Sequence, residues 1–227
     1  MIKNWPLIAL ILLAPLFAAW PLPLVWASEW LTLPSGEAGI HVWGLWATTA
    51  AQNAFTIETH SIAWPEGVTA VLADPANIPW FLAGWWAGPA AAYNTIVYAN
   101  MVLLGIAGAV LAQTVGGSRW LGVIAGVLNA SALAATTTGI TEQLGVGWIG
   151  LFIAVLIRAL RTDSLAMAVG AGVALMLCAA SGPYNGIWVA FIAIAIGVGA
   201  LWRRRGRGAA VAKKQYVFQA VCVLKAP

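Results

Sequence analysis

The stretch "VTAVLADPANIPWFLAGWWAGPA", residues 68–90, decides how this chain is threaded. It is apolar enough to suggest a membrane-crossing helix, which takes about 20 apolar residues for a hydrocarbon core of about 30 Å. Asp74, Pro75, Pro79 and Pro89 interrupt it. Six other segments approach the required length: 6–26, 95–115, 120–137, 144–160, 165–180 and 187–202. With those six alone and the N-terminus inside, Lys3, Arg119, Arg158, Arg161 and the run "RRRGR" at 203–207 fall on one side. Glu29, Glu37, Glu58, Glu66, Asp74 and Glu142 fall on the other, and only Asp163 joins the basic side. Lys and Arg beside short loops stay cytoplasmic. A seventh crossing at 68–90 would set Lys3 opposite Arg119. The charges therefore favour an interfacial or re-entrant segment. Its proline-broken backbone needs shielding by protein or water at membrane depth.

Composition agrees. Of 227 residues, 62% are hydrophobic and only 8% charged, against roughly 25% charged in a soluble domain. The 14 tryptophans suit a membrane–water boundary, where an apolar ring and a polar N–H are both satisfied. The net charge of +4 comes largely from "RRRGR". That run abuts an apolar span, which makes it a membrane anchor rather than a nucleic-acid patch. Cys178 and Cys222 suggest neither a disulfide framework nor metal spacing. The expected fold is an all-α integral membrane protein with about six transmembrane helices. A long outer loop, 27–94, carries interfacial or re-entrant helices between the first two spans. Residues 1–207 then form one transmembrane domain, with 208–227 a cytoplasmic tail, disordered or the remnant of a truncated reading frame. The N-terminus also resembles a signal peptide, with "VWA" ending at Ala27, but Pro15, Pro21 and Pro23 break its apolar run. It is read as a retained first span.

Five of the seven acids and both histidines lie in the outer loop. They form three islands: "GEAGIHVW" with Glu37 and His41, "IETHSIAWPEG" with Glu58, His60 and Glu66, and "ADPANIPW" with Asp74 and Asn77. An acid four residues before a histidine shares its helix face. Beside a low-dielectric surface such a carboxylate can serve as a general base. The plainer reading is that an exposed loop needs charge to stay solvated. His41, His60 and nearby carboxylates match no strong ligand motif, so a divalent metal has only weak support and no cofactor is expected. Glu142 either favours the positive end of the helix beginning near 144 or faces the same outer cavity as Glu37. "SGPYNG", 181–186, reads as a Pro-Gly turn. The spans hold almost no polar groups, Asn129 and Gln113 being modest exceptions. Gly105, Gly108, Gly122 and Gly126 suit close helix packing.

The order of three motifs carries a resemblance. An acid–x–x–x–His–x–Trp setting at Glu37, His41 and Trp43 is followed by "WPEG" at 64–67 and by "GPAAAYN" at 88–94. Over roughly 1–207 the chain resembles the GT-C superfamily of polytopic glycosyltransferases, in particular poorly characterised bacterial members with a "gDxxxHxW … P-G … aYN" pattern. The resemblance implies an inverting transfer of sugar from a polyprenyl-phosphate donor to an acceptor on the outer face of the inner membrane. It implies Glu37 as base, with His41 orienting it or pairing with phosphate; Glu58, His60 and Glu142 are taken beside them as candidate substrate-binding residues. Superfamily enzymes are about twice this length and draw the cations for the leaving phosphate partly from later spans. The chain is therefore expected to be such an enzyme or its N-terminal half, with the phosphate-binding half either missing or supplied by another membrane chain, or else a fragment without activity of its own. The alternative is a non-enzymatic transporter or assembly subunit.

Overall fold

The computed structural model describes residues 5–31, 37–50, 56–59, 68–71, 74–132, 140–200 and 202. The elements are α1 (Trp5–Ala18), α2 (Leu22–Val25), α3 (Glu37–Ala50), β1 (Thr56–Thr59), β2 (Val68–Val71), α4 (Ile78–Trp85), α5 (Pro89–Thr114), α6 (Arg119–Ala132), α7 (Val146–Thr162) and α8 (Leu165–Ala180). A last helix, α9, covers Pro183–Ala200. Met1–Val189 and Ala190–Pro227 form separate compact units.

The helix ends follow local chemistry. Pro89 opens α5, where its fixed φ fits and its missing N–H is not needed. Beyond the end of α5, Gly116 takes φ 106°, a conformation open to glycine without penalty, and Gly117 N–H closes back on the Ala112 carbonyl at 2.9 Å. Asp163 ends α7 in the left-handed region. Ser164 then caps α8 by accepting from Met167 N–H. Pro183 opens α9. The predicted breaks at 116–119, 161–164 and 181–186 all stand.

α5 is the central helix, packed by α6, α7, α4 and α1. Gly105 and Gly126 bring α5 and α6 together. A Cβ at Gly105 would lie 2.9 Å from the Gly126 carbonyl oxygen, and one at Gly126 would lie 2.9 Å from that of Gly105. Such close approach is what the small residues were expected to permit. Tyr98 of α5 donates to the Leu12 carbonyl of α1 at 3.0 Å. The largest buried side chains, Tyr93, Ile96, Val97 and Met101 with Phe81, Leu45 and Leu144, gather around the N-terminal half of α5.

The outward faces are apolar. Leu165, Val169, Val173 and Met176 form an exposed stripe on α8, and Trp120, Leu121, Ile124 and Leu128 one on α6. Patches of this kind mark surfaces that water does not cover. Two helices, α5 and α9, are long and apolar enough to cross a membrane. The six-span expectation has support at those two places only. α1 and α6 have 14 residues each, α8 has 16 and α7 has 17, and at 1.5 Å per residue 14 residues reach only about 21 Å.

Residues 68–90 do not form one helix, as their prolines lead one to expect. They begin as β2, antiparallel to β1 with Thr56 opposite Val71 and Thr59 opposite Val68. After a 3-10 turn at Pro75–Asn77 comes α4, only eight residues long. The fold is helical, as expected, apart from this one short strand pair. Its Thr-, Ile- and Val-rich strands suit a pleated surface.

Candidate functional site

The chemistry gathers where α3, the Pro75–Asn77 turn and the Thr141–Gln143 turn meet the N-terminal half of α5. Asp74 precedes a proline, which disfavours helix at that position. Its carbonyl accepts from Asn77 N–H at 2.9 Å, so the turn folds Asn77 back towards the Asp74 side chain. Asn77 uses both amide protons. One goes to Asp74 Oδ2 at 3.2 Å, the other to the Thr141 carbonyl at 3.2 Å. Asn100 of α5 likewise uses both, on Asn77 Oδ1 at 2.8 Å and the Ile96 carbonyl at 2.9 Å. Thr141 Oγ1 donates to Asp74 Oδ2 and lies 3.2 Å from His41 Nδ1.

This network is buried. Asp74, Asn77, Asn100 and Thr141 are at most 2% exposed, and His41 is half-buried at its edge. Buried amides and carboxylates persist only when hydrogen-bonded. Here the bonding chain runs from Asn100 through Asn77 and Asp74 to Thr141 and His41. Asn100 Oδ1 is buried without a hydrogen-bond partner among the described residues. The cluster is therefore a buried polar network of fixed geometry, with the His41 ring at its edge.

A second amide has a different task. Asn94, fully buried, donates to the carbonyls of Trp26 (2.9 Å) and Glu29 (2.7 Å) and accepts from Leu31 N–H (2.9 Å). It ties residues 26–31 to α5. The neighbouring Tyr93 ring packs on Trp30 with centroids 5.5 Å apart. The other end of α5 is cationic. Arg158 Nε donates to Thr114 Oγ1 at 2.9 Å, and Arg161 Nη1 donates to the Thr114 carbonyl. Cations there complement the negative end of the helix dipole.

The predicted residues fare unevenly. His41 lies in the network. Glu37 is the first residue of α3, one turn before His41, with its side chain outside the described residues. Glu58 stands in β1 opposite Thr69, and Glu142 in the Thr141–Gln143 turn; their side chains also lie outside the described residues, as does all of His60. Among the described residues no group of three His, Cys, Asp or Glu could hold a metal. "SGPYNG" spans the α8–α9 turn at 181–182 and the first residues of α9, with Tyr184 exposed and Asn185 donating to Ser181 Oγ at 3.2 Å.

Sequence reasoning noticed Asp74 and Asn77 as an island without giving them a role. It missed Thr141 and Asn100, and took Asn129 and Gln113 as the polar residues of the spans. A lone amide in an apolar helix is itself a signal, since it needs a partner. Compared with protein-family models, with curated proteins and with solved structures, the chain matches none.

Proposed function

We propose that this chain is a GT-C-like glycosyltransferase, or the N-terminal part of one, with six spans and cytoplasmic termini, acting on a polyprenyl-phosphate-linked sugar at the outer face of the inner membrane. One observation carries the reading. Two of the outer islands and the start of the 141–143 turn converge on His41, the histidine of the acid–x–x–x–His–x–Trp motif. A second feature supports the orientation. From Asn94 to Thr114, 20 residues at 1.5 Å each make about 30 Å, the thickness of a hydrocarbon core. Asn94 and the two arginines on Thr114 mark opposite ends of that length.

In this mechanism Glu37 takes the proton of the acceptor hydroxyl. The freed oxygen attacks the anomeric carbon from the face opposite the phosphate, the bond to the lipid phosphate breaks, and the configuration inverts. His41 orients the carboxylate or meets the phosphate. Cations for the leaving group come from another membrane chain. In proteoliposomes containing a polyprenyl-phosphate sugar, E37Q is expected to lose about 10²–10⁴-fold in transfer rate. Full activity of E37Q would sink Glu37 as the base, and a silent wild type supplied with its partner chain would sink the glycosyl-transfer reading. Asn100 favours one other reading. A buried amide with a spare acceptor inside a spanning helix is how transporters line a substrate path. Solute uptake lost in N100L, with no sugar transfer, would establish it.

A further inference from the structure

The proton count of the network fixes something that coordinates alone do not show. A threonine hydroxyl has one proton to give and lone pairs to accept with. Thr141 gives its proton to Asp74 Oδ2, which Asn77 Nδ2 also addresses. The contact between Thr141 Oγ1 and His41 Nδ1, 3.2 Å, then has only one consistent direction: Nδ1 carries the hydrogen and donates. We infer that Asp74 and Thr141 are positioning residues that lock neutral His41 in its Nδ1–H tautomer, leaving the Nε2 lone pair as an acceptor for a substrate hydroxyl.

The chain of cause is short. Asp74 is held by Asn77, Asn77 by Asn100, and Asn100 by α5, so the carboxylate cannot turn away from Thr141 without breaking buried hydrogen bonds. His41 sits at the rim and is half-buried, so its second nitrogen is the outward end of this chain. There Nε2 accepts a hydrogen bond from a substrate hydroxyl and orients it, while Glu37 remains the group that takes the acceptor proton. This role for Nε2 rests on the glycosyl-transfer reading; the tautomer does not.

The test needs no substrate. The chain has two histidines, so histidine labelled at both ring nitrogens gives two sets of resonances, and an H60N variant assigns those of His41. Full-length protein in lipid nanodiscs is observed at mildly alkaline pH, where an ordinary imidazole is neutral. The expected spectrum has Nδ1 at the protonated position and Nε2 at the unprotonated one. T141V should move Nε2 toward the protonated position, as in free imidazole, and T141S should restore the wild-type pattern. Protonated Nε2 in the wild type would mean that the chain runs from Asp74 through Thr141 to His41, and would overturn the inference. So would a T141V spectrum identical to the wild type. If T141V does not fold, the wild-type spectrum alone still decides. The expected tautomer in a protein that transfers no sugar would leave the inference standing and remove the glycosyl-transfer reading. Sugar transfer with the opposite tautomer would do the reverse.

Discussion

Replacing Gly105 by valine is expected to be among the most damaging single changes in this chain, lowering stability by about 4 kcal/mol. The Cβ alone would lie 2.8 Å from Ala130 Cβ, 2.8 Å from Ile11 Cγ2 and 2.9 Å from the Gly126 carbonyl oxygen. Only the isoleucine end can turn aside, because the other two atoms belong to the backbone of α6 or sit directly on it. Valine adds two further methyls, so α1, α5 and α6 must part. Overpacking of this kind commonly costs about 1–3 kcal/mol, and more where backbone stands in the way. For a chain of this size 4 kcal/mol corresponds to a Tm lower by roughly 8–16 °C. Tryptophan fluorescence during thermal unfolding in detergent reads this directly. Gly172→Val is the control, since a Cβ at Gly172 meets nothing within 4 Å. Equal losses at both positions would show that the α5–α6 contact is not what the bundle depends on.

Asn94→Leu is expected to cost a similar amount, about 3–5 kcal/mol, for a different reason. Leucine matches the volume but leaves the Trp26 and Glu29 carbonyls and the Leu31 N–H without their amide partner. Each unsatisfied backbone group costs about 1–3 kcal/mol, less where water reaches it. Asp at 94 should be no better. It can still accept from Leu31 N–H, but it sets a carboxylate against two carbonyl oxygens that had received hydrogens. Limited proteolysis gives a local readout, with faster cleavage within 26–31 expected in both variants. Asn129→Leu is the comparison, because the Asn129 amide donates to Ala125 of its own helix. Its cost should stay below about 1 kcal/mol. A Tm for N94L within error of that of N129L would remove the clamp from the account of stability.

What was legible in the sequence was local. The turns at 116–119, 161–164 and 181–186 are set by Gly116, Ser164 and Pro183, each acting within a few residues of itself. The prolines of 68–90 break that segment where they stand, into β2, the Pro75–Asn77 turn and α4. What was not legible is tertiary. β1 and β2 are four residues each, and neither signals a strand until paired. Thr141 meets Asp74 across 67 positions and His41 across 100. Nothing in "TTTGITEQ" distinguishes Thr141 from its neighbours, because its importance lies in where the turn sets it down. Asn100 was passed over for a related reason: within an apolar run one amide reads as tolerated, when its burial makes it a required partner.

The arginines on Thr114 have a mechanical consequence. α5 is fastened in its N-terminal half through Asn94 and Asn100 and at its C-terminal end through Arg158 and Arg161 of α7. Sliding α7 by one turn, about 5.4 Å, would strip both guanidinium bonds, and Gly147, packed on the Leu103 side chain and the Leu104 backbone, would have to yield as well. The α5–α7 pair is thus a stator.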